Sequence, residues 1–191
     1  MYTKKDYSSL LGTPGFSDKA LETHFALYEG YVANVNKIMG EVDQLIMDGK
    51  MDSIQYAELK RRFGWEFDGM RLHEFYFGAM GGDGKINESG KLYKAIKEQF
   101  GSFETFMADF IATGKMRGIG WAIMYQDPIS GKLLNLWINE HDGGHLAGGN
   151  IILNMDIFEH AFMIDYGKDR ASYIDAFMKT INWNEVEKRL R

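Results

Sequence analysis

Apolar residues recur at helical spacing through the first eighty residues of the chain. Within residues 20–50 they return every three or four positions, and Ser17 offers an N-cap just before this run. A second run with the same period covers residues 53–80 and ends at a cluster of glycines. The pattern predicts two long helices, the first with a bend near Gly40, that pack as a helical hairpin.

The hydrophobic pattern of the second half changes from helix to strand and back to helix. Two shorter helices are predicted at residues 90–100 and 103–113, the second with Ser102 as its N-cap. Three apolar, β-prone runs then predict strands at residues 120–125, 132–138 and 151–155. Helical periodicity returns from Asp169 and ends in a final short helix.

These elements predict an α+β fold. A long α-helical hairpin at residues 1–84 forms the expected N-terminal domain, and residues 85–191 form a C-terminal domain of helices around a sheet. The chain of 191 residues and 21.9 kDa is long enough to bury a sizeable core.

Composition narrows the classes of function. The formal net charge of -5 argues against a general nucleic-acid binder, because phosphate contacts need a basic excess. The absence of cysteine excludes disulfides, thiolate zinc sites, iron–sulfur clusters and cysteine nucleophiles. No run of apolar residues has the length of a membrane span or a signal peptide, so we expect a cytoplasmic protein without a membrane partner.

Histidine and aspartate carry the candidate chemistry. His24 and His73 fall on the apolar stripes of the two long helices, whereas Asp156 and His160 lie in an apolar segment directly after the third strand. Burying such groups without partners is costly. Three imidazoles and one carboxylate suit iron, manganese or zinc.

Two other interpretations of the histidines remain open at this point. A single histidine on an apolar helix face is usually a hydrogen-bonded core residue, and this applies to His24 and His73 taken separately. His141 and His145 are flanked by acidic residues in a glycine-rich loop and form a second candidate metal site, for zinc. This site would make the protein a zinc-dependent hydrolase. A solvated turn explains the two histidines equally well.

Several sequence blocks resemble one family. Residues 156–162, DIFEHAF, closely match the signature D-x-[WF]-E-H-[AS]-[YF] of the iron/manganese superoxide dismutases. Further blocks resemble the family in the same order along the chain: His24 with YVANVN at 31–36, HEFYF at 73–77, FGSF at 100–103, GIGW at 118–121, and Asn182 with Trp183. The resemblance extends from about residue 10 to the end of the chain.

The resemblance implies a metal centre and a reaction. It assigns the ligands of one iron or manganese ion to His24, His73, Asp156 and His160, and it implies disproportionation of the superoxide anion to dioxygen and hydrogen peroxide. The fold it implies is a helical hairpin followed by a domain with a three-stranded antiparallel sheet.

Residues around the metal also receive roles from the resemblance. Tyr31 matches a tyrosine at the mouth of the substrate funnel, and Trp121 an aromatic wall of the pocket. His141 falls where many members carry a glutamine or histidine that bonds metal-bound solvent, while Gly69 occupies the alternative position for that glutamine. Glu159 matches a glutamate that reaches the partner subunit, which implies a homodimer or a dimer of dimers.

The chain also departs from the family pattern. His24 and Tyr31 are seven residues apart, one fewer than usual, and Tyr28, Met163 and Gly167 replace common residues at or near the subunit gateway. These changes keep a second hypothesis open, a non-catalytic relative that serves as a binding or assembly module with a structural metal. Lys168, Arg170 and Arg71 are the candidate cations for guiding the anionic substrate.

Overall fold

Two long helices form the first part of the molecule. The computed structural model describes residues 1–191 and places a short 3-10 helix at Ser8–Leu10, α1 at Asp18–Met47 and α2 at Ile54–Phe77. The Ser17 hydroxyl accepts the Ala20 amide hydrogen and caps α1. Helix α1 continues through position 40, as the prediction of one long helix requires, and the bend near Gly40 stays a prediction.

The second half contains five helices around one sheet. Helices α3 and α4 come first, and α5, α6 and α7 follow the strands. Their bounds are Lys91–Phe100 for α3, Phe103–Gly114 for α4, Met163–Tyr166 for α5, Arg170–Lys179 for α6 and Trp183–Glu187 for α7. A second 3-10 helix, Glu159–Ala161, lies between the last strand and α5.

The sheet has three antiparallel strands in the order β2-β1-β3, with β1 at Gly120–Gln126, β2 at Leu133–Asn139 and β3 at Asn150–Asp156. Trp121 pairs with Asp156 across β1 and β3. Gly120 has φ 136° and lies so close to β2 that a Cβ there would be 1.9 Å from the Ile138 carbonyl oxygen, so only glycine fits before Trp121.

One hydrophobic core joins the hairpin to the sheet. Buried residues from α1, α2, the sheet and α6 belong to the same cluster, among them Leu21, Leu72, Ile123 and Phe177. Helix α2 packs against β3, and the Asn154 side-chain amide donates to the Leu72 carbonyl at 2.8 Å. This packing brings the end of β3 beside the last two turns of α2.

The α+β fold predicted from the sequence is confirmed, including the hairpin and the three-stranded sheet. The division into domains at residue 84 stays a prediction. No helix combines the length and the hydropathy that crossing a membrane requires.

Candidate metal centre

Four side chains from separate elements converge where the hairpin meets the sheet. His24 comes from α1, His73 from α2, Asp156 from the last position of β3, and His160 from the 3-10 helix after it. One potential ligand atom of each lies within 4.8 Å of all the others. The structure therefore brings together the four residues that the sequence predicts as ligands.

The Asp156 carboxylate lies at the centre of this cluster. Its Oδ2 is 3.1 Å from His24 Nε2, 3.1 Å from His160 Nε2 and 3.6 Å from His73 Nε2. Its Oδ1 accepts the backbone amide hydrogen of Phe158 at 2.8 Å, which fixes the orientation of the carboxylate. Three imidazole nitrogens and one carboxylate oxygen thus face a common point.

His73 provides the test of whether a metal fits. Its Nδ1 donates to the Gly69 carbonyl at 2.6 Å, so the neutral ring carries its lone pair on Nε2. That nitrogen is buried and has no hydrogen-bond partner. Buried polar atoms are nearly always paired, and a ligand histidine usually donates its other ring hydrogen to a carbonyl or carboxylate. The donor set fits an iron or manganese ion.

The pKa shifts favour the protonation state that metal binding needs for Asp156, His24 and His73, but not for His160. Burial would raise the pKa of Asp156, but the facing imidazoles of His160 and His24 hold it well below its usual range. Burial lowers the pKa of His24 and that of His73. Burial also opposes charge on His160, yet Asp156 raises its pKa above the usual value. Metal binding requires all three imidazoles to be neutral.

Tyr31, His141 and Trp121 form a hydrogen-bonded chain beside the four residues. The Trp121 indole N–H donates to His141 Nδ1 at 3.1 Å, so the hydrogen of the neutral His141 ring lies on Nε2. His141 Nε2 is 2.8 Å from the Tyr31 hydroxyl and donates to its oxygen. The Trp121 and His73 ring centroids are 5.1 Å apart, which places Trp121 against the cluster.

Two aromatic rings that the sequence analysis missed pack against His141. The Trp65 and Phe158 ring centroids lie 4.6 and 4.7 Å from that of the imidazole. The Trp65 indole donates to Glu140 at 3.0 Å, and the Arg62 guanidinium lies 3.9 Å from the centroid of the Trp65 ring. Glu140 has φ 50°, the one positive φ outside glycine. Such a backbone conformation is strained for a residue other than glycine, and this one lies directly before His141.

Arg62 is a cation beside the Tyr31–His141 pair, and it was not among the predicted guiding residues. Arg62 pairs with the buried Glu66 carboxylate at 2.8 Å, much as Arg71 pairs with the buried Glu74 carboxylate at 2.5 Å. Arg170 donates to the Gly118 carbonyl at 3.0 Å.

Comparison with known proteins identifies the family. The sequence model described as "Iron/manganese superoxide dismutases, C-terminal domain" matches residues 88–189. The chain is 36% identical to "Superoxide dismutase [Fe]" of Cupriavidus metallidurans over 178 residues, covering 92% of this chain and 88% of that protein. The chain belongs to the iron/manganese superoxide dismutase family.

Superoxide dismutases named for either metal are among its relatives. The iron enzyme of Aquifex pyrophilus is 36% identical over 190 residues, 97% of this chain and 89% of that protein. "Superoxide dismutase [Mn] 2" of Halobacterium salinarum is 39% identical over 119 residues, 62% of this chain and 58% of that protein. The family predicted from the sequence blocks is confirmed.

The short spacing between His24 and Tyr31 does not distort α1. Seven residues fall about 20° short of two full turns, so the two side chains share one face of a regular helix. Tyr28 lies between them on α1; its hydroxyl donates to Glu74 Oε1 at 3.1 Å and accepts the Lys5 amide hydrogen at 3.0 Å. At this departure from the family pattern, Tyr28 therefore bonds the buried Glu74 carboxylate and the backbone of Lys5.

The structure gives no support to the zinc hypothesis for His141 and His145. Trp121 and Tyr31 bond the two nitrogens of His141, and the Tyr125 hydroxyl and the His141 carbonyl bond those of His145. Neither histidine belongs to the group of side chains close enough together to hold a metal ion, and these hydrogen bonds also show that the loop is not a simple solvated turn.

Proposed function

We propose that the chain is a superoxide dismutase that uses one iron or manganese ion held by His24, His73, Asp156 and His160. Bound there, either ion supplies electron exchange between two oxidation states, which zinc lacks. Overall, two superoxide anions and two protons give dioxygen and hydrogen peroxide. The single observation that carries the proposal is the buried, unpaired Nε2 of His73 facing three further ligand atoms.

Tyr31, His141 and Trp121 are the residues proposed to serve the reaction beside the ligands. Burial lowers the pKa of His141 to about 4, so its ring is neutral near pH 7. Burial, with the carboxylates of Asp156 and Glu66, raises the pKa of Tyr31, which keeps the hydroxyl protonated. Because Tyr31 oxygen accepts from His141, its own O–H is free to bond the incoming anion. Trp121 holds the His141 tautomer that this arrangement needs.

Reconstitution with each metal tests the function. The metal-free chain is loaded separately with iron, manganese and zinc, and the loss of superoxide is followed by stopped flow. We expect acceleration with iron or manganese, none with zinc, and none from a His73→Ala variant. A folded chain with full iron or manganese occupancy and no acceleration would contradict the proposal and favour the non-catalytic binding module.

We also propose that the chain acts as a homodimer, with a dimer of dimers as the larger assembly. The support is an exposed surface next to the centre: Glu159 is exposed beside His160, and Met163 and Ile164 expose 53% and 41% of their surfaces there. Large exposed apolar groups grouped in this way are typical of interfaces. Light scattering during size exclusion should give the mass of two or four chains, and Met163→Glu should reduce it. A monomer at all concentrations would contradict this assembly.

A cytoplasmic location, an antioxidant role in the cell and the absence of nucleic-acid and membrane partners stay predictions from the sequence.

A further inference from the structure

The loop between β2 and β3 carries His141 but has few backbone hydrogen bonds of its own. Asn139 and Gly143 exchange two of them at 2.9 and 3.0 Å, and the Gly149 amide donates to the Leu146 carbonyl. The loop holds four glycines, at positions 143, 144, 148 and 149. Glycine-rich backbone is conformationally permissive, so the position of His141 needs further support.

His145 supplies that support. Its Nε2 donates to the His141 carbonyl at 2.7 Å, the one hydrogen bond that this carbonyl accepts. Its Nδ1 lies 2.5 Å from the Tyr125 hydroxyl, and Tyr125 is a buried residue of β1. The nearest charge is the Asp68 carboxylate, 3.8 Å from Nε2 and beyond hydrogen-bond distance. A chain of two hydrogen bonds thus links the sheet to the backbone of His141.

The chemistry of the neutral imidazole makes this link directional. A carbonyl oxygen only accepts, so His145 Nε2 must carry the ring hydrogen and Nδ1 must accept from Tyr125. Loss of the Tyr125 hydroxyl therefore removes one of the two hydrogen bonds that keep the ring hydrogen on Nε2. Tyr125 also orders the loop by contact, because a Cβ at Gly149 would lie 2.8 Å from its ring.

We propose that His145 is a positioning residue for the reaction, which holds the His141 backbone so that the imidazole reaches both Tyr31 and Trp121. The inference rests on the proposed dismutase function. It gives a role to a histidine that touches none of the four ligands. His145 acts through the carbonyl of His141, and Tyr125 acts through His145.

Four variants test this role. His145→Ala removes the donor, His145→Gln offers an amide donor in its place, and Tyr125→Phe removes only the hydroxyl. Asp142→Ala is the matched control, an exposed side chain in the same loop without a hydrogen bond. Each iron- or manganese-loaded protein is assayed for metal content, kcat and KM. Exchange of the Trp121 indole hydrogen is measured by NMR on the zinc-loaded protein, which is diamagnetic.

We expect His145→Ala to keep its metal, to lose about ten-fold in kcat, and to exchange the Trp121 hydrogen about ten-fold faster. His145→Gln should recover much of the kcat and much of the slow exchange of the Trp121 hydrogen. Tyr125→Phe should show a smaller loss of kcat and a smaller rise in exchange rate, and Asp142→Ala should behave as the parent. The exchange rate reports on His141 because the Trp121 indole donates to it. Should His145→Ala fail to fold, Tyr125→Phe and His145→Gln carry the test.

Wild-type turnover together with wild-type exchange in His145→Ala would overturn the proposal. Slower turnover with unchanged exchange would also overturn it, because the effect would then not pass through His141. If the parent itself fails to dismute superoxide with full metal occupancy, the proposed function fails, and the exchange measurement alone decides whether His145 holds His141.

Discussion

Replacing Gly69 by alanine should lower both the stability of the protein and the activity of this centre. Gly69 lies on α2, and its carbonyl accepts from His73 Nδ1. A Cβ built there would lie 2.7 Å from Tyr31 Cδ1 and 2.9 Å from Cε1. Tyr31 therefore packs directly on the Gly69 backbone, and the added methyl group of Gly69→Ala displaces the residue whose hydroxyl is proposed to bond the incoming anion.

These distances give the expected displacement of the Tyr31 ring. Ordinary contact starts at 3.4 Å, so the ring must move by the difference from 2.7 Å, about 0.7 Å. If the hydroxyl moves equally, its 2.8 Å bond to His141 lengthens to about 3.5 Å and is lost. Overpacking costs about 1–3 kcal/mol, while alanine gains about 1 kcal/mol over glycine in a helix. We expect a net destabilisation of about 1 kcal/mol and about a ten-fold loss of kcat.

Gly64 is the matched control because it lies on the same helix and a Cβ there has nothing within 4 Å. Gly64→Ala should raise the free energy of unfolding by about 0.5–1 kcal/mol and leave kcat unchanged. Chemical denaturation measures the first quantity, and stopped-flow decay of superoxide at equal metal occupancy measures the second. Wild-type kcat in Gly69→Ala, or a crystal structure of this variant with Tyr31 still bonded to His141, would refute the expected displacement of Tyr31.

Three further changes give distinct results. His73→Ala should lose both metal retention, measured by elemental analysis, and activity, because the remaining ligands no longer enclose the ion. Trp121→Phe should retain metal but lose about ten-fold in kcat, since nothing then fixes the His141 tautomer; nitrogen chemical shifts of the ring should show both tautomers. Arg62→Gln should lower kcat/KM for superoxide at low salt and make it depend less on ionic strength, whereas Lys188→Gln should leave both unchanged; stopped-flow decay of superoxide over a range of salt concentrations measures this.

Local signals made most of the fold predictable. The helix starts after Ser17 and Ser102 were predictable because each hydroxyl accepts an amide hydrogen three residues on, a contact that sequence alone specifies. The strands were predicted to within a residue or two because their apolar runs are bounded by turn residues. The four clustered residues were predictable because histidine and aspartate in buried segments need partners, and the ordered blocks of the family selected one set.

Contacts between distant parts of the chain could not be predicted in this way. Trp65 has the helical spacing of an ordinary core residue, and its bond to Glu140 spans 75 positions. Arg62 contacts Trp65 and Glu66 within one turn of α2, and it comes near Tyr31 and His141 because Trp65 packs against both of those rings. His145 carried a signal, a histidine four residues after His141, but the signal fitted a zinc ligand and a solvated turn equally well until the partners of both rings were known.

The four converging residues also give the bound ion a mechanical role. His24 and Asp156 are 132 positions apart, so one ion closes a loop that includes most of the chain. In the unfolded chain, closing so long a loop costs about 5 kcal/mol of entropy, as for a disulfide of similar span. In this protein without cysteine, an ion bound by the four residues would thus act as a reversible cross-link, and chelation should lower the free energy of unfolding of the whole chain.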